Sequence, residues 1–170
     1  MGVYKCKYKD NMITFDTLEL IKEYIDNVII EASSHGLDQK RLHHIKFKGA
    51  IFTNFSQDHL DYHKSFEDYK SQKFRLFKEL LQDGGSAIIN IDDKVGKELI
   101  KTIKDRNINI ITYGKSENAH WRIDEILDIE NYKTIKISAY GKSYIISTAL
   151  NLSLIHISEP TRLRRISYAV

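Results

Sequence analysis

The feature that most constrains the fold is the stretch of residues 31–73, in which polar segments follow directly after short apolar runs. One run, Val28-Ile29-Ile30, ends at Glu31, and a second, residues 49–52, ends at Thr53-Asn54. Each run has the length and side chains of a short buried strand. In open α/β sheets, ligands bind where parallel strands end at their carboxyl edge. The pattern therefore predicts one polar site shared by the ends of two strands.

A lysine within the next segment stands out. Residues 65–82 are predicted to form a helix, because apolar side chains recur at steps of three and four residues. Ser65 followed by Asp68 resembles a capping box at its start. Lys73 falls on the apolar stripe, where burial predicts a lowered pKa and an accessible neutral amine. The alternative is that its stem packs while its ammonium group reaches solvent.

Helices and short strands alternate through the middle of the chain, which predicts parallel pairing through right-handed crossovers. After residue 114 three alternating strands predict an antiparallel meander with a turn at residues 140–142. The fold class is therefore α/β, a mostly parallel sheet with flanking helices plus a small antiparallel β meander. Residues 1–15 show little pattern. The predicted helices are 16–24, 65–82 and 93–106, and the predicted strands are 27–30, 46–52, 86–91, 108–113, 121–129, 133–139 and 143–147.

Composition narrows the functional class. The 170 residues, 42% of them hydrophobic, suffice for one domain with a core. The net charge of +3 comes from 26 basic and 23 acidic residues, and the basic residues are scattered, so nucleic acid is not an expected partner. The single cysteine, Cys6, excludes a disulfide framework. No apolar segment reaches membrane-spanning length, so we expect a cytoplasmic protein without a membrane partner.

The last stretch, residues 152–170, differs from the rest. It contains the only proline, Pro160, and three arginines that follow no periodic pattern. Its sequence closely resembles a translated adapter of the kind used in sequencing libraries. We therefore expect residues 152–170 to have no biological role, and the natural sequence to be interrupted near Asn151.

Several side chains have the chemistry of metal ligands. Carboxylates and imidazoles without cysteines favour a divalent cation with a preference for oxygen over structural zinc. Histidines near helix caps are also common at surfaces, so this pattern alone leaves both interpretations open. The candidate metal ligands are Glu31, Asp58, His59, Asp61 and His63. The last four of these also permit a metal-dependent hydrolase that activates water.

Other polar residues allow two interpretations each. Ser33 and Ser34 are candidates for helix caps as well as for ligand contacts. Arg41 fits an anion clamp or a solvated face. Tyr-Gly-Lys-Ser occurs at residues 113–116 and 140–143, but neither copy has the earlier glycine of a phosphate loop, which argues against that function.

Read together, these motifs resemble the signature of the Mur ligases. The resemblance runs from about residue 16 to about residue 151 and implies part of a central, ATP-binding α/β domain. It is strongest to the family member that adds a diamino acid to UDP-MurNAc-L-Ala-D-Glu in peptidoglycan synthesis. The matching residues are 31–37 (EASSHGL), Gln39, Arg41, Thr53-Asn54, 58–63 (DHLDYH), Lys73 and 90–93 (NIDD).

The resemblance implies a reaction and a set of roles. ATP would phosphorylate the terminal carboxylate, and the amine of meso-diaminopimelate or lysine would attack the acyl phosphate. One Mg²⁺ would be held by Glu31 and a second by His59, and a carbamylated Lys73 would help position that second ion, with His59 and Lys73 acting as catalytic residues. The UDP-MurNAc-dipeptide would contact Ser33, Gln39 and Arg41. We expect a monomer.

Two departures from the family pattern limit what this chain is expected to do. The family's glycine-rich phosphate loop and its C-terminal domain are both absent from the sequence. We therefore expect no ligase activity from the chain as given. A non-catalytic folded fragment remains a further alternative beside the metal-dependent hydrolase.

Overall fold

A computed structural model of the chain describes residues 4–8, 11–15, 27–55, 63–129 and 132–148. A π-helical turn, Leu76–Leu80, continues helix α2 directly into strand β4. The elements are β1 Tyr4–Tyr8, β2 Asn11–Phe15, α1 Ser34–Asp38, β3 Phe47–Phe52, α2 Phe66–Arg75, β4 Leu81–Asn90, α3 Lys94–Ile103, β5 Asn109–Gly114, β6 Trp121–Ile129, β7 Tyr132–Ala139 and β8 Lys142–Thr148.

Six strands form one sheet in the order β3-β4-β5-β6-β7-β8. The pairs from β3 to β6 are parallel, and the two pairs from β6 to β8 are antiparallel. Tyr140 and Gly141, which join β7 to β8, both have positive φ angles, 49° and 73°, as a two-residue hairpin turn requires. The predicted fold class, a mostly parallel α/β sheet with an antiparallel meander, is confirmed.

The main core lies between the parallel strands and helices α2 and α3. Alternate residues of β3 and β4 point into it, which is the period of two expected of a strand. The opposite face of the sheet is more open, and Ile51 is 61% exposed there. The core cluster consists of Ala50, Phe52, Phe74, Phe77, Leu81, Ala87, Ile89, Val95, Leu99 and Ile103.

Residues 1–15 contain more regular structure than the sequence pattern predicted. Strands β1 and β2 pair antiparallel, with Tyr4 opposite Phe15 and Tyr8 opposite Asn11. Alternation over only five residues per strand is too short to separate from chance, which is why the pattern missed them. The predicted helix at residues 16–24 and the proposed tail at 152–170 lie outside the described residues.

The strand predicted at residues 27–30 is wrong. The structure gives these residues no regular secondary structure, and Ile29 is 83% exposed. An apolar run becomes a strand only when a neighbouring strand pairs with its backbone, and the described sheet ends at β3. The sequence predicted a polar site shared by the ends of two strands. Of these two strands, only β3 is present in the described residues.

The helix predicted at residues 65–82 begins where the sequence predicted, after the Ser65 cap. It ends earlier than predicted, because the π-helical turn stops at Leu80. The hydroxyl of Ser65 accepts a hydrogen bond from the Asp68 N–H at 3.1 Å, as the capping pattern predicted. Strand β4 begins at Leu81 and runs through Gly84, whose φ of 77° interrupts its early pairing. The remaining predicted helix and strands agree with α3 and β5–β8 to within a few residues.

We expect Gly96→Ala to destabilise the fold. A Cβ at Gly96 would clash with the Asn90 carbonyl oxygen, so helix α3 would have to move from the end of β4. Such overpacking costs about 1–3 kcal/mol. Gly49→Ala is the control, because its Cβ would lie 3.7 Å from the nearest atom. Urea unfolding measures both, and an equal effect of the two substitutions would contradict this reading.

Candidate functional site

Lys73 lies half-buried on α2, one turn after Tyr69. Its Nζ atom is 5.9 Å from the centroid of the Tyr69 ring. Burial lowers the pKa of Lys73 below its ordinary value, and the negative charge of Glu31 opposes that shift in part. The predicted direction of the pKa shift is therefore confirmed. The structure also brings the Glu31 carboxylate within electrostatic range of this amine.

The segment that carries Glu31 is held against α2 by two kinds of contact. Leu37 and Leu42 pack with Leu80 of the π-helical turn in a second apolar cluster. The Arg75 guanidinium donates a hydrogen bond to the Leu37 carbonyl oxygen at 3.1 Å. This carbonyl also accepts from a backbone N–H of the turn after α1, at 3.1 Å, so it is hydrogen-bonded both to that turn and to α2. Side chains of α2 and the π-helical turn thus fix the position of the segment after Glu31.

The three residues predicted to bind substrate lie on this segment, and all are exposed. The Ser33 hydroxyl caps α1 by accepting from the Gly36 N–H at 3.1 Å, so the capping interpretation holds for Ser33. The backbone N–H of Gln39 closes the helix by donating to the His35 carbonyl oxygen at 2.9 Å. The Arg41 N–H donates to the Gly36 carbonyl oxygen at 2.9 Å. A short capped helix and its closing turn therefore carry Ser33, Gln39 and Arg41.

His63 is buried in a cluster of rings that the sequence did not predict. It is 4% exposed, its ring stacks on Tyr69 at 5.1 Å, and its Nδ1 lies 3.5 Å from the Asp68 carboxylate. Phe55 also stacks on Tyr69, at 4.5 Å. Stacking of this kind fixes ring orientation, so His63 and Phe55 together immobilise Tyr69 beside Lys73.

The other members of the predicted metal cluster, Asp58, His59 and Asp61, lie outside the described residues. Within the described ranges, no three residues of the types His, Cys, Asp and Glu are grouped so as to hold a metal ion. The placement of His59, and with it the complete ligand set, stays a prediction.

The loop after β3 is tied to the ends of the two neighbouring strands. The Asn90 amide donates to the Thr53 carbonyl oxygen at 2.8 Å, and the Phe55 N–H donates to an Asp93 carboxylate oxygen at 2.8 Å. The Tyr113 hydroxyl lies 3.4 Å from the Phe52 carbonyl oxygen. Burial, and then the charge of Asp92, raise the pKa of Tyr113, which keeps this donor protonated. The sequence analysis assigned Asn90 and Asp93 to the motif at residues 90–93, but it did not predict their hydrogen bonds to the loop after β3.

Neither Tyr-Gly-Lys-Ser copy forms a phosphate loop, as predicted. The N–H groups of Lys115 and Ser116, which a phosphate would need, already donate to the Asp92 carboxylate at 2.7 and 3.1 Å. The second copy forms the hairpin turn between β7 and β8. In the first copy the backbone N–H groups are occupied by a carboxylate, and the second copy forms a hairpin turn. Neither copy therefore offers free backbone N–H groups in the arrangement that binds an anion.

The family model for the Mur ligase middle domain matches residues 5–154. The chain belongs to the Mur ligase family. The UDP-N-acetylmuramoyl-L-alanyl-D-glutamate–2,6-diaminopimelate ligase of Aquifex aeolicus is 41% identical to this Mur ligase chain over 140 residues. The enzyme of the same name from Clostridium botulinum is 39% identical over 144 residues. The family predicted from the motifs is confirmed.

A solved structure of a ligase with this same name superposes with a TM-score of 0.68 at 31% identity, covering 76% of this Mur ligase chain and 26% of the other. The alignments with the Aquifex and Clostridium enzymes cover 76% and 78% of this chain, but 26% and 28% of theirs. The chain thus spans about a quarter of the length of the relatives it matches. Within its described residues, no helix is both long and apolar enough to cross a membrane.

We expect Lys73→Met to raise the free energy of unfolding at neutral pH. We also expect this free energy to increase less with alkaline pH in the variant than in the wild-type chain. Because the folded-state pKa of Lys73 is lowered, burying the ammonium form opposes folding at low pH. This cost disappears as pH rises from the folded pKa toward the unfolded value of about 10.4. Urea unfolding between neutral pH and that value measures the difference from wild type.

Lys70→Met is the matched control on the same helix. Hydrogen bonds to Glu67 and then to Glu98 raise the pKa of Lys70, so its contribution favours folding below the unfolded pKa and is lost as pH rises through the folded pKa. We expect this substitution to lower stability at neutral pH. Effects of the same sign from the two lysines would contradict the assigned environments.

Proposed function

We propose that this chain is part of an ATP-dependent ligase that joins a diamino acid to UDP-MurNAc-L-Ala-D-Glu. The observation that carries the proposal is Lys73, a half-buried lysine with a lowered pKa and an acidic neighbour, Glu31. The family and the names of the relatives support the substrate class, and those names favour 2,6-diaminopimelate over lysine. As proposed, the parent enzyme acts as a bacterial cytoplasmic monomer.

The proposed reaction has two steps. The γ-phosphoryl group of ATP passes to a carboxylate oxygen of the dipeptide, and ADP leaves. The amine of the diamino acid then attacks the carbonyl carbon of the acyl phosphate, loses a proton, and displaces inorganic phosphate as the amide bond forms. Charge on the phosphate oxygens must be neutralised, and bound Mg²⁺ supplies this.

Two described residues, Glu31 and Lys73, are proposed to take part in binding Mg²⁺. Glu31 offers an exposed carboxylate, the kind of oxygen ligand that Mg²⁺ prefers. Lys73 as an ammonium group would repel a cation, so it fits the site only after chemical conversion. The third proposed metal residue is His59, whose imidazole would hold a second Mg²⁺.

Carbamylation provides that conversion for Lys73. A neutral amine adds to carbon dioxide and releases one proton, which leaves a carbamate anion with two oxygen atoms. The lowered pKa raises the fraction of neutral amine at physiological pH, and Glu31 prevents the shift from becoming larger. The proposed role of the carbamylated Lys73 is to help position a second Mg²⁺, the one that His59 would hold, while Glu31 would hold the first.

The proposed substrate contacts are those on the capped helix. Ser33, Gln39 and Arg41 lie on one exposed segment, and the guanidinium of Arg41 is suited to an anionic group of the UDP-MurNAc-dipeptide. Apolar packing of Leu37 and Leu42 holds the segment on α2, so these contacts would be ordered before the substrate arrives.

We expect a carbamate on Lys73. In ¹³C-labelled bicarbonate, the chain should show a protein-bound carbamate signal by NMR, because Lys73 offers a neutral amine in a half-buried position. Lys73→Arg should abolish the signal, since guanidinium does not lose its charge. Lys70→Arg, one turn earlier on α2, should retain it. A signal that survives Lys73→Arg would contradict the assignment.

We expect Arg41→Ala to weaken binding of UDP-MurNAc-L-Ala-D-Glu by about tenfold or more, because a charge-assisted hydrogen bond contributes about 1.5–3 kcal/mol. Titration calorimetry in the presence of Mg²⁺ measures the affinity. Arg122→Ala is the control, since Arg122 lies on β6 and pairs with Asp124 at 2.6 Å. Equal losses in both variants, or no heat with the wild-type chain, would contradict the proposed substrate contact.

A further inference from the structure

Arg75 links helix α2 to the turn that follows α1. Its Nη1 atom donates to the Leu37 carbonyl oxygen and to the Gln72 side-chain oxygen, each at 3.1 Å. Its Nε atom donates to the two Glu79 carboxylate oxygens, at 3.3 and 3.1 Å. Gln72 and Glu79 lie on α2 and the π-helical turn, so they hold the planar guanidinium group in one orientation toward Leu37.

The Leu37 carbonyl oxygen also takes part in an unusual turn. It accepts from the Lys40 N–H at 3.1 Å, and the Gly36 carbonyl oxygen accepts from the Arg41 N–H at 2.9 Å. This pair of hydrogen bonds is the Schellman motif, which places one left-handed residue after the helix, usually glycine or asparagine. Here that residue is Lys40, with a φ of 56°. Its Cβ disfavours this conformation, so the surroundings must hold it.

Helix α1 is too short to hold the turn by itself. It has five residues, and isolated helices of fewer than about 12 residues are marginal in water. Contacts with the rest of the fold must therefore keep the Leu37 carbonyl in its helical direction. Apolar packing of Leu37 supplies one such contact, and the hydrogen bond from Arg75 supplies the other. The acceptor that the Lys40 N–H needs is thus held in place by a side chain of α2.

We propose that Arg75 is a positioning residue for the UDP-MurNAc-dipeptide, holding the turn at Lys40 so that Gln39 and Arg41 are ordered before the substrate binds. The inference rests on the proposed function, which makes Gln39 and Arg41 substrate contacts. Arg75 itself is not assigned a contact with the substrate. A substrate that binds only the closed turn loses affinity in proportion to the fraction of chains in which the turn is open.

Arg106 provides a matched control on the same part of the fold. Its guanidinium group donates to the carbonyl oxygens of Phe77 and Leu81, at 2.6 and 2.9 Å, and to the Asp83 carboxylate at 2.8 Å. Both arginines therefore bind backbone carbonyl oxygens and a carboxylate. The partners of Arg106 lie on the π-helical turn and β4, whereas Arg75 reaches α1.

The test compares Arg75→Met with Arg106→Met in the full chain, by titration calorimetry with UDP-MurNAc-L-Ala-D-Glu and Mg²⁺. The affinity should fall about fivefold to tenfold in Arg75→Met and stay within about twofold of wild type in Arg106→Met. Amide hydrogen exchange, followed by NMR, should be about tenfold faster at Lys40 and Arg41 in Arg75→Met, because a charge-assisted hydrogen bond is lost. Exchange at these two amides should not change in Arg106→Met.

Arg75→Lys is a milder second variant, in case Arg75→Met fails to fold. A lysine ammonium group is a point charge and lacks the fork that spans the Leu37 and Glu79 oxygens. The affinity for the same substrate should therefore fall by about threefold, less than in Arg75→Met.

Lys40→Asn tests whether Arg75 acts through the turn. Asparagine adopts the left-handed conformation more readily than lysine, so the turn needs less support. In the Lys40→Asn chain, Arg75→Met should lower the affinity by less than about twofold. Tyr140→Asn is the control, because Tyr140 has a similar φ of 49° in the turn between β7 and β8. In the Tyr140→Asn chain, the effect of Arg75→Met should keep its full size.

The outcomes distinguish the inference from the proposed function. If neither Arg75 variant binds more weakly than Arg106→Met, Arg75 only stabilises the fold, and the inference is overturned. An effect of Arg75→Met that is equally large in the Lys40→Asn chain overturns it as well. If the wild-type chain gives no heat with the substrate, the substrate contacts of the proposed function are contradicted, and the inference falls with them.

Discussion

The hydrogen bonds at the end of β4 are the constraint on which the arrangement of the neighbouring loops depends. In a parallel sheet, successive loops leave the same edge, but nothing in the sheet itself fixes where they go. Asn90 and Asp93 hold the loop after β3, and Asp92 holds the loop after β5. Helix α3 begins on the same Asp93 carboxylate, close enough to β4 that Gly96 has no room for a Cβ. Three neighbouring polar residues thus fix two loops and one helix.

Lys73 shows how packing and charge compete at one atom. Burial on α2 disfavours its ammonium form, while the Glu31 carboxylate favours it, and burial is the larger effect. The same packing explains why both groups are near each other, since Leu37, Leu42 and Leu80 hold the Glu31 segment on the π-helical turn. A lowered pKa favours the neutral amine, which is the form that the proposed carbamylation requires.

The sequence predicted some elements well and others poorly for identifiable reasons. The α2 helix was predictable because a stripe of apolar residues and the Ser65 cap agree, and the bond from the Asp68 N–H to the Ser65 hydroxyl confirms it. The strand at residues 27–30 was wrong because hydrophobicity does not supply a pairing partner. The stack of Phe55, His63 and Tyr69 was missed because their contacts cross the boundary between a loop and a helix, where no sequence period applies.

By itself, the sequence determined the parallel α/β layer with its meander, the family, and the chemistry available to Glu31, Ser33, Arg41 and Lys73. These follow from side-chain period and from motif residues, both of which are local properties of the chain. Only the tertiary structure decided that Asp93 divides its two oxygens between a helix and a loop, and that Arg75 anchors the end of α1. The physical reason is that a hydrogen bond depends on the distance between two atoms in space, and residues 38 positions apart in sequence meet only after the strands have paired.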